Sequence, residues 1–328
     1  MNISESYFAT SSVVVLGSLN ADLVQTVQRL PKPGETIVGG DLQLHPGGKG
    51  ANQACAAARM GGRVSMIGRV GRDSFAQSLL DSLSLAGVDA TRVEVSDCPT
   101  GTASISVLPS GENTIVLSPG ANASLTPGCV ARLLADLRPE SLFLVQLEIP
   151  IETVFEALRL AKGAGARTVL DPAPARRLPE ELLRYVDFLT PNQSEALTLL
   201  EDSDGTIDNF AAAEVAARRL RQLGAAGVIL KLGSLGCFLS TNETSCSVPG
   251  FAVQAVDTTA AGDTFNGAFA AALAEGKSAL DAAIFANAAA ALSVTRAGAQ
   301  TSIPSRQEVD EFLIRMAVSQ TEAISLER

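Results

Sequence analysis

Asp263 stands in the stretch DTTAAGDTFNGAFA, directly behind Ala260, Ala261 and Gly262, which have almost no side chain. Such residues leave backbone N–H groups uncovered. From Thr264 to Gly276, Phe265, Ala268, Phe269, Ala272 and Leu273 recur at helical spacing. The acid therefore sits at a helix start, where free N–H groups and the helix dipole attract anions. Two roles are open on this stretch alone: Asp263 can cap the helix, or it can accept a proton beside a bound anion. Other stretches raise similar choices. Asn20 and Asp22 are two apart in an extended segment, so their side chains share a face, and an amide beside a carboxylate can bind adjacent hydroxyls. A plain turn after a strand is the alternative.

In PGGKGANQ, Gly47 and Gly48 permit positive φ and close ligand approach around Lys49, in a chain with only five lysines. Asn52 falls in the first turn of the helix that follows. TPNQSEA (190–196) carries the marks of a capping box, with Thr190 as N-cap, Pro191 at the first helical position and Gln193 at the third. That leaves Asn192 and Glu195 on one face, an amide and a carboxylate suited to Mg²⁺ beside phosphates. Glu148 ends VQLE at the carboxyl edge of a strand and points to the same crevice.

The elements that must position these residues alternate. Short apolar runs at 12–17, 66–68, 142–147, 167–171, 187–190 and 227–233 read as buried strands, with helical patterns at 49–61, 73–86, 151–164, 193–201 and 208–223 between them. Such alternation predicts an α/β fold with a parallel sheet covered on both faces. Two regions instead alternate polar and apolar residues: ADLVQTV with ETIVGGDLQL, and TGTASISVLPSGENTIVLS with a hairpin turn at PSGEN. These four one-sided strands suit a small β-sheet lid over the carboxyl edge of the main sheet, its open face covered by a second copy of the chain.

Composition narrows the chemistry. A net charge of −10 and a pI near 4.8, with no basic run, argue against nucleic acid or an anionic membrane as partner. No apolar run is long enough to span a membrane, and residues 1–28 hold no Lys or Arg, against a secretory signal. Five cysteines without a CxxC pair fit reduced thiols in the cytoplasm. His45 is the only histidine, so a His-rich zinc site cannot be built, and no GxSxG, Walker A or GxGxxG pattern stands in the required context.

Taken in order, VVLGSLNAD, PKPGET, GGKGANQA, GANASLTP, QLEIP, DPAPARRLPEELL, TPNQSEA, LGSLGC, VQAVDTTAAGDTFNGA and VTRAGAQTSIP resemble the ribokinase-like sugar kinase family, from about residue 12 to residue 314. The resemblance implies a three-layer αβα Rossmann-like sandwich with a mostly parallel central sheet, spanning 12–318 between tails at 1–11 and 319–328. It implies a β-lid formed by about 20–45 and 100–118 that pairs in a homodimer. It further implies ATP-dependent phosphorylation of D-ribose at the 5-hydroxyl, with kinases of deoxyribose, another pentose or ketose, or a nucleoside as relatives, and a non-catalytic sugar sensor as a further alternative. By it, Asn20, Asp22, Gly48, Lys49, Asn52 and Glu148 hold the sugar and Asp263 takes its proton. The N–H groups of Ala261, Gly262 and Asp263 form an anion hole. Asn192 and Glu195 serve Mg-ATP, and Lys231, Gly233, Ser234, Gly236 and Asn287 line the nucleotide pocket. Asp257, Thr259, Ser293, Arg296, Gly298 and Ser302 match a site for K⁺ or another monovalent cation, several through carbonyl oxygens. Two residues depart from the pattern: Lys231 where Thr is more usual, and Asp171 where Asn is.

Overall fold

Short runs of β-branched and large apolar residues build the centre of the molecule. The computed structural model describes residues 12–179 and 181–326, so the tail expected at 1–11 lies outside the described residues. In chain order the elements are β1 (Ser12–Leu16), β2 (Asn20–Thr26), β3 (Gln43–Gly47), α1 (Lys49–Arg59), β4 (Arg63–Val70), α2 (Ser74–Leu85) and β5 (Asp89–Val95). Then come β6 (Gly101–Val107), β7 (Asn113–Ser118), α3 (Pro127–Leu133), β8 (Leu142–Val145), α4 (Ile151–Gly163), β9 (Arg167–Leu170) and β10 (Phe188–Leu189). The chain continues through α5 (Gln193–Leu199), α6 (Phe210–Gln222), β11 (Gly227–Lys231), β12 (Gly236–Ser240) and β13 (Ser245–Pro249). It closes with α7 (Ala261–Ala274), α8 (Ala279–Ser293) and α9 (Arg306–Leu326). The helix thus carries on past residue 319, where the sequence suggested a tail.

Nine strands form the main sheet in the order β13-β12-β11-β10-β9-β8-β1-β4-β5. Neighbours from β11 to β5 run parallel, and only β12 and β13 at one edge are antiparallel. The pleat sends Val13 and Val15 into an apolar cluster with α1, α2, α7, α8 and α9, and Val14 and Leu16 into a second cluster with α3, α4, α5 and α6. Three layers follow directly. Helix α8 escapes a periodicity reading because it is apolar nearly all round, as a helix buried in a large core is.

The lid is a four-stranded sheet in the order β3-β2-β6-β7. Asn20 opposes Gly47 and Asp22 opposes His45, so the single histidine is a strand residue across from that acid. The hairpin at PSGEN is present: Leu108 N–H donates to Glu112 O at 2.8 Å and Gly111 takes φ 87°. The strand expected at ETIVGGDLQL begins only at Gln43. Adjacent Gly39 and Gly40 weaken strand pairing before it, and Gly40 N–H instead bonds Thr26 O. Leu42, Leu44, Ile115, Val116 and Leu117 remain exposed on the lid.

Candidate active site

Helices α1 and α7 start at the same place, each from a residue with positive φ. Gly48 precedes α1 at φ 90°, and a Cβ there would meet Asn20 N at 2.7 Å, so only glycine lets this turn pack on the lid strand. Ala260 precedes α7 at φ 56°, a left-handed conformation that costs a non-glycine residue about 1–2 kcal/mol. It closes a turn in which Ala261 N–H donates to Thr258 O at 3.2 Å. Ala261 N–H is engaged in the turn, whereas Gly262 and Asp263 N–H groups have no hydrogen-bond partner among the described residues.

Of the two roles left open for Asp263, capping is not the one it plays. Its carboxylate makes no capping bond. Oδ2 accepts from Asn52 Nδ2 at 3.0 Å and Oδ1 from Gln53 Nε2 at 2.9 Å. Burial pushes the Asp263 carboxyl above its ordinary range; nearby Lys49 opposes the rise, and Asp171 adds to it. Desolvation is the largest of these effects and makes the carboxylate a stronger proton acceptor. Gln53 went unnoticed in the sequence because consecutive helix residues point about 100° apart. Its long side chain nevertheless reaches the same carboxylate.

Asn20 and Asp22 lie in β2 two residues apart, on one face as their spacing required. Asp22 is pushed up to about 7, first by burial and then by Glu148 and Asp263. A Cβ on Gly47 would fall 2.0 Å from Asp22 Oδ2, which is why that position lacks a side chain. Glu148 Oε2 accepts from Lys49 N–H at 3.1 Å and from Ser18 Oγ. Its carboxyl is raised by burial, against the pull of Lys49. Burial would lower the Lys49 ammonium, but Asp263, Asp171, Glu148 and Glu195 surround it and hold it above the ordinary lysine range.

Beyond Lys49 opens a cleft of about 850 Å³ lined by Asn192, Glu195, Lys231, Gly233, Ser234, Gly236, Asn287, Ala261, Gly262 and Asp263. Gly236 takes φ 102°, and a Cβ there would strike Val248 O at 2.2 Å, leaving bare backbone facing the cleft. The capping box of α5 is two residues later than expected. Asn192 Oδ1 accepts from Glu195 N–H at 2.8 Å, and Glu195 Oε2 accepts from Asn192 N–H at 2.7 Å. Thr190 cannot cap because it still belongs to the sheet edge, its N–H bonded to Leu170 O. Burial raises the Glu195 carboxyl, opposed by Lys231. The two departures from the family pattern meet each other: Lys231 Nζ pairs with Asp171 Oδ1 at 3.2 Å, so each charge accounts for the other.

Behind α7, residues 257–259 and 293–302 are tied together. Asp257 accepts from Thr259 N–H at 2.9 Å and Gly298 N–H at 2.8 Å, and Val294 O accepts from Asp257 N–H. The Ser293 and Ser302 hydroxyls donate to Ala290 O and Ala299 O, and the Arg296 side chain pairs with Glu308. The Asp257 carboxylate, held ionised by these bonds, and backbone carbonyls are what these loops offer a cation. Among the described residues no group of three His, Cys, Asp or Glu could hold a metal, and all five cysteines are free.

Residues 10–306 match the pfkB family of carbohydrate kinases. The chain belongs to that family. Among pfkB relatives, a ribokinase from Haemophilus influenzae is 46% identical over 92% of this chain and 98% of its own. A deoxyribokinase from Salmonella typhi is 37% identical over 92% of this chain and 98% of its own. The structure of an Arabidopsis thaliana ribokinase complexed with ribose and ATP superimposes with a TM-score of 0.83 at 34% identity, covering 93% of this chain and 99% of that one. The large sheet with helices on both faces and the smaller second sheet fit these pfkB neighbours.

Proposed function

We propose that the protein transfers the terminal phosphoryl group of ATP to the 5-hydroxyl of D-ribose, giving D-ribose 5-phosphate and ADP. The 46% identity to a ribokinase over nearly the whole of both chains carries this reading. In it, Asn20, Asp22, Asn52, Glu148 and the Gly48–Lys49 turn hold the sugar. Asp263 takes the proton of the 5-hydroxyl, whose oxygen bonds to the γ-phosphorus as the bond to the β-phosphate oxygen breaks and ADP departs. Gly262 and Asp263 N–H groups meet the charge on the transferred oxygens. Asn192 and Glu195 are the residues that would hold Mg²⁺, a hard cation suited to oxygen ligands, and it would neutralise phosphate charge. Lys231 and the glycines at 233 and 236 face the polyphosphate, and Asn287 the nucleotide. Carbonyls of 257–259 and 293–302 would hold a K⁺ ion, and it would brace the loop ahead of α7.

The test is a panel of ribose, 2-deoxyribose, other pentoses and ketoses, and nucleosides with Mg-ATP, run in K⁺, Na⁺ and tetramethylammonium. Ribose in K⁺ is expected to give the highest kcat/KM. A faster reaction with 2-deoxyribose would favour the second reading, which the 37% identity to a deoxyribokinase supports. Absence of ATP turnover would leave a sugar sensor, and equal rates in all three cations would remove the K⁺ site.

We also read the protein as a homodimer joined through its lids, because exposed Leu44 and Val116 on one face of the lid, and Ile115 and Leu117 on the other, leave apolar surface that one subunit does not cover. Sedimentation at micromolar concentration is expected to give twice the mass of one chain; an active monomer would refute this. A cytoplasmic setting, which supplies ATP and keeps thiols reduced, suits the five free cysteines. No helix among the described residues is long and apolar enough to cross a membrane.

A further inference from the structure

Three carboxamides of the site are each backed by a second carboxamide. Asn20 Oδ1 accepts from Asn122 Nδ2 at 2.8 Å, Asn52 Oδ1 from Gln300 Nε2 at 3.1 Å, and Gln53 Oε1 from Gln146 Nε2 at 2.6 Å. All six residues are buried, none more than 6% exposed. The two ends of an amide have nearly the same shape, so the polarity of each pair must be fixed by a group that can only donate or only accept.

For two of the pairs that group is a carboxylate. Asn52 and Gln53 must turn their NH₂ ends to Asp263, and Gln53 Nε2 also lies 2.8 Å from Asp171 Oδ2. Their oxygens then face away, where Gln300 and Gln146 supply the donors. For the third pair the fixing group is at the far end. Leu19 N–H donates to Asn122 Oδ1 at 3.0 Å, so Asn122 Nδ2 donates to Asn20 Oδ1, and the NH₂ of Asn20 is left for the sugar side. Gln300 Oε1 is itself occupied, accepting from Ser82 Oγ at 2.6 Å.

We propose that Gln300, Gln146 and Asn122 are positioning residues: Gln300 and Gln146 complete the polarity that Asp263 sets in Asn52 and Gln53, and Asn122 locks Asn20 as a hydrogen-bond donor. Asp263 then meets only amide donors, and the sugar meets a donor, Asn20, beside an acceptor, Asp22. The catalytic meaning rests on Asp263 being the proton acceptor of the proposed reaction; the hydrogen-bond polarity does not. Two donated bonds favour the ionised carboxylate against the burial that opposes it. The other charged groups facing Asp263 are Lys49 from α1, Asp171 after β9, Asp22 on β2 and Glu148 after β8, with Lys231 paired to Asp171.

The decisive variant is Gln300→Glu, which keeps the shape and replaces the donor by an acceptor. The new carboxylate then competes with Asp263 for the Asn52 NH₂, and the bond to Asp263 is weakened or lost. The titration of Asp263 is followed by ¹³C NMR in protein labelled with ¹³C-aspartate, its resonance identified by its absence from Asp263→Asn. The midpoint is expected to rise by about one pH unit, the effect of losing one hydrogen bond to a charged group. Gln300→Met removes the donor without adding an acceptor, leaving Asn52 free to keep donating, so its midpoint is expected to rise less. Gln146→Glu acts on Gln53 in the same way and serves if Gln300→Glu does not fold. Ser82→Glu places a carboxylate next to position 300 without replacing the donor to Asn52, and so reads the effect of charge alone. Midpoints unchanged in the Glu variants, equal rises in Gln300→Glu and Gln300→Met, or a rise in Ser82→Glu as large as that in Gln300→Glu would overturn the proposal. The NMR readout needs no turnover, so a parent protein that fails to phosphorylate ribose would count against the activity alone.

Discussion

Asp263→Asn is expected to lower kcat by about 10²–10⁴-fold, the usual contribution of a general base. KM for ATP should stay level or fall, because a negative charge is removed from beside the γ-phosphate. The melting temperature should move by only a few degrees. Asp263 makes no capping bond, so the helix start does not depend on it. The replaced side chain loses one acceptor for Asn52 or Gln53, but the penalty of burying a charge goes with it. In the parent, activity needs the ionised acid and should fall as pH drops through its raised pKa, at a pH above the ordinary carboxylate range. The measurement is kcat, both KM values and thermal melting, each against pH. A folded variant keeping more than about a tenth of parental kcat would remove Asp263 from the chemistry.

The second large effect belongs to Asp22. A site built to bond a hydroxyl rejects an analogue without it by up to about 10⁴–10⁵-fold, so 2-deoxyribose should be a poor substrate beside ribose. Asp22→Ala should abolish most ribose use and flatten that ratio. It should not lower the melting temperature. Ionised Asp22 is half-buried and faces Glu148 and Asp263, so its removal relieves the fold near neutral pH. Because the Asp22 carboxyl titrates at about 7, KM for ribose should rise as pH falls below that value, where protonation removes an acceptor. Equal kcat/KM for ribose and 2-deoxyribose in the parent would show that Asp22 does not read the hydroxyl.

Local pattern made part of this site legible. The period-two spacing of Asn20 and Asp22 and the small residues ahead of Asp263 are properties of a few adjacent residues, and the folded chain keeps them. The capping box shows where such reading stops. Thr190 with Gln193 and Asn192 with Glu195 both satisfy a cap pattern. The choice between them is made by β10, whose pairing with the strand ends on either side holds Thr190 and Pro191 in the sheet: Thr190 N–H bonds Leu170 O and Pro191 O accepts from Lys231 N–H. Likewise Lys231 and Asp171 each looked anomalous alone. They lie at the ends of β11 and β9, and only the strand order β11-β10-β9 brings them within reach. Gln146 and Gln300 carry no local signal, because their part is played against α1 residues distant in the chain.

Gly267 bears on how the molecule can move. A Cβ on it would fall 2.5 Å from both Ala56 Cβ and Gln53 O, so α7 and α1 touch backbone to backbone there, one turn below Asp263. Close-packed helices of this kind do not slide past one another without opening a void. In the proposed reaction, the end of α1 that would meet the sugar and the end of α7 that would meet the phosphoryl group therefore form a fixed gauge, whose span is set in the core. Adjustment to a ligand falls to parts outside that gauge, namely the lid strands and the loops around 231–236. In that reading the reacting distance would be built in before either substrate arrives, and any closure of the lid would exclude water rather than bring the two ends together.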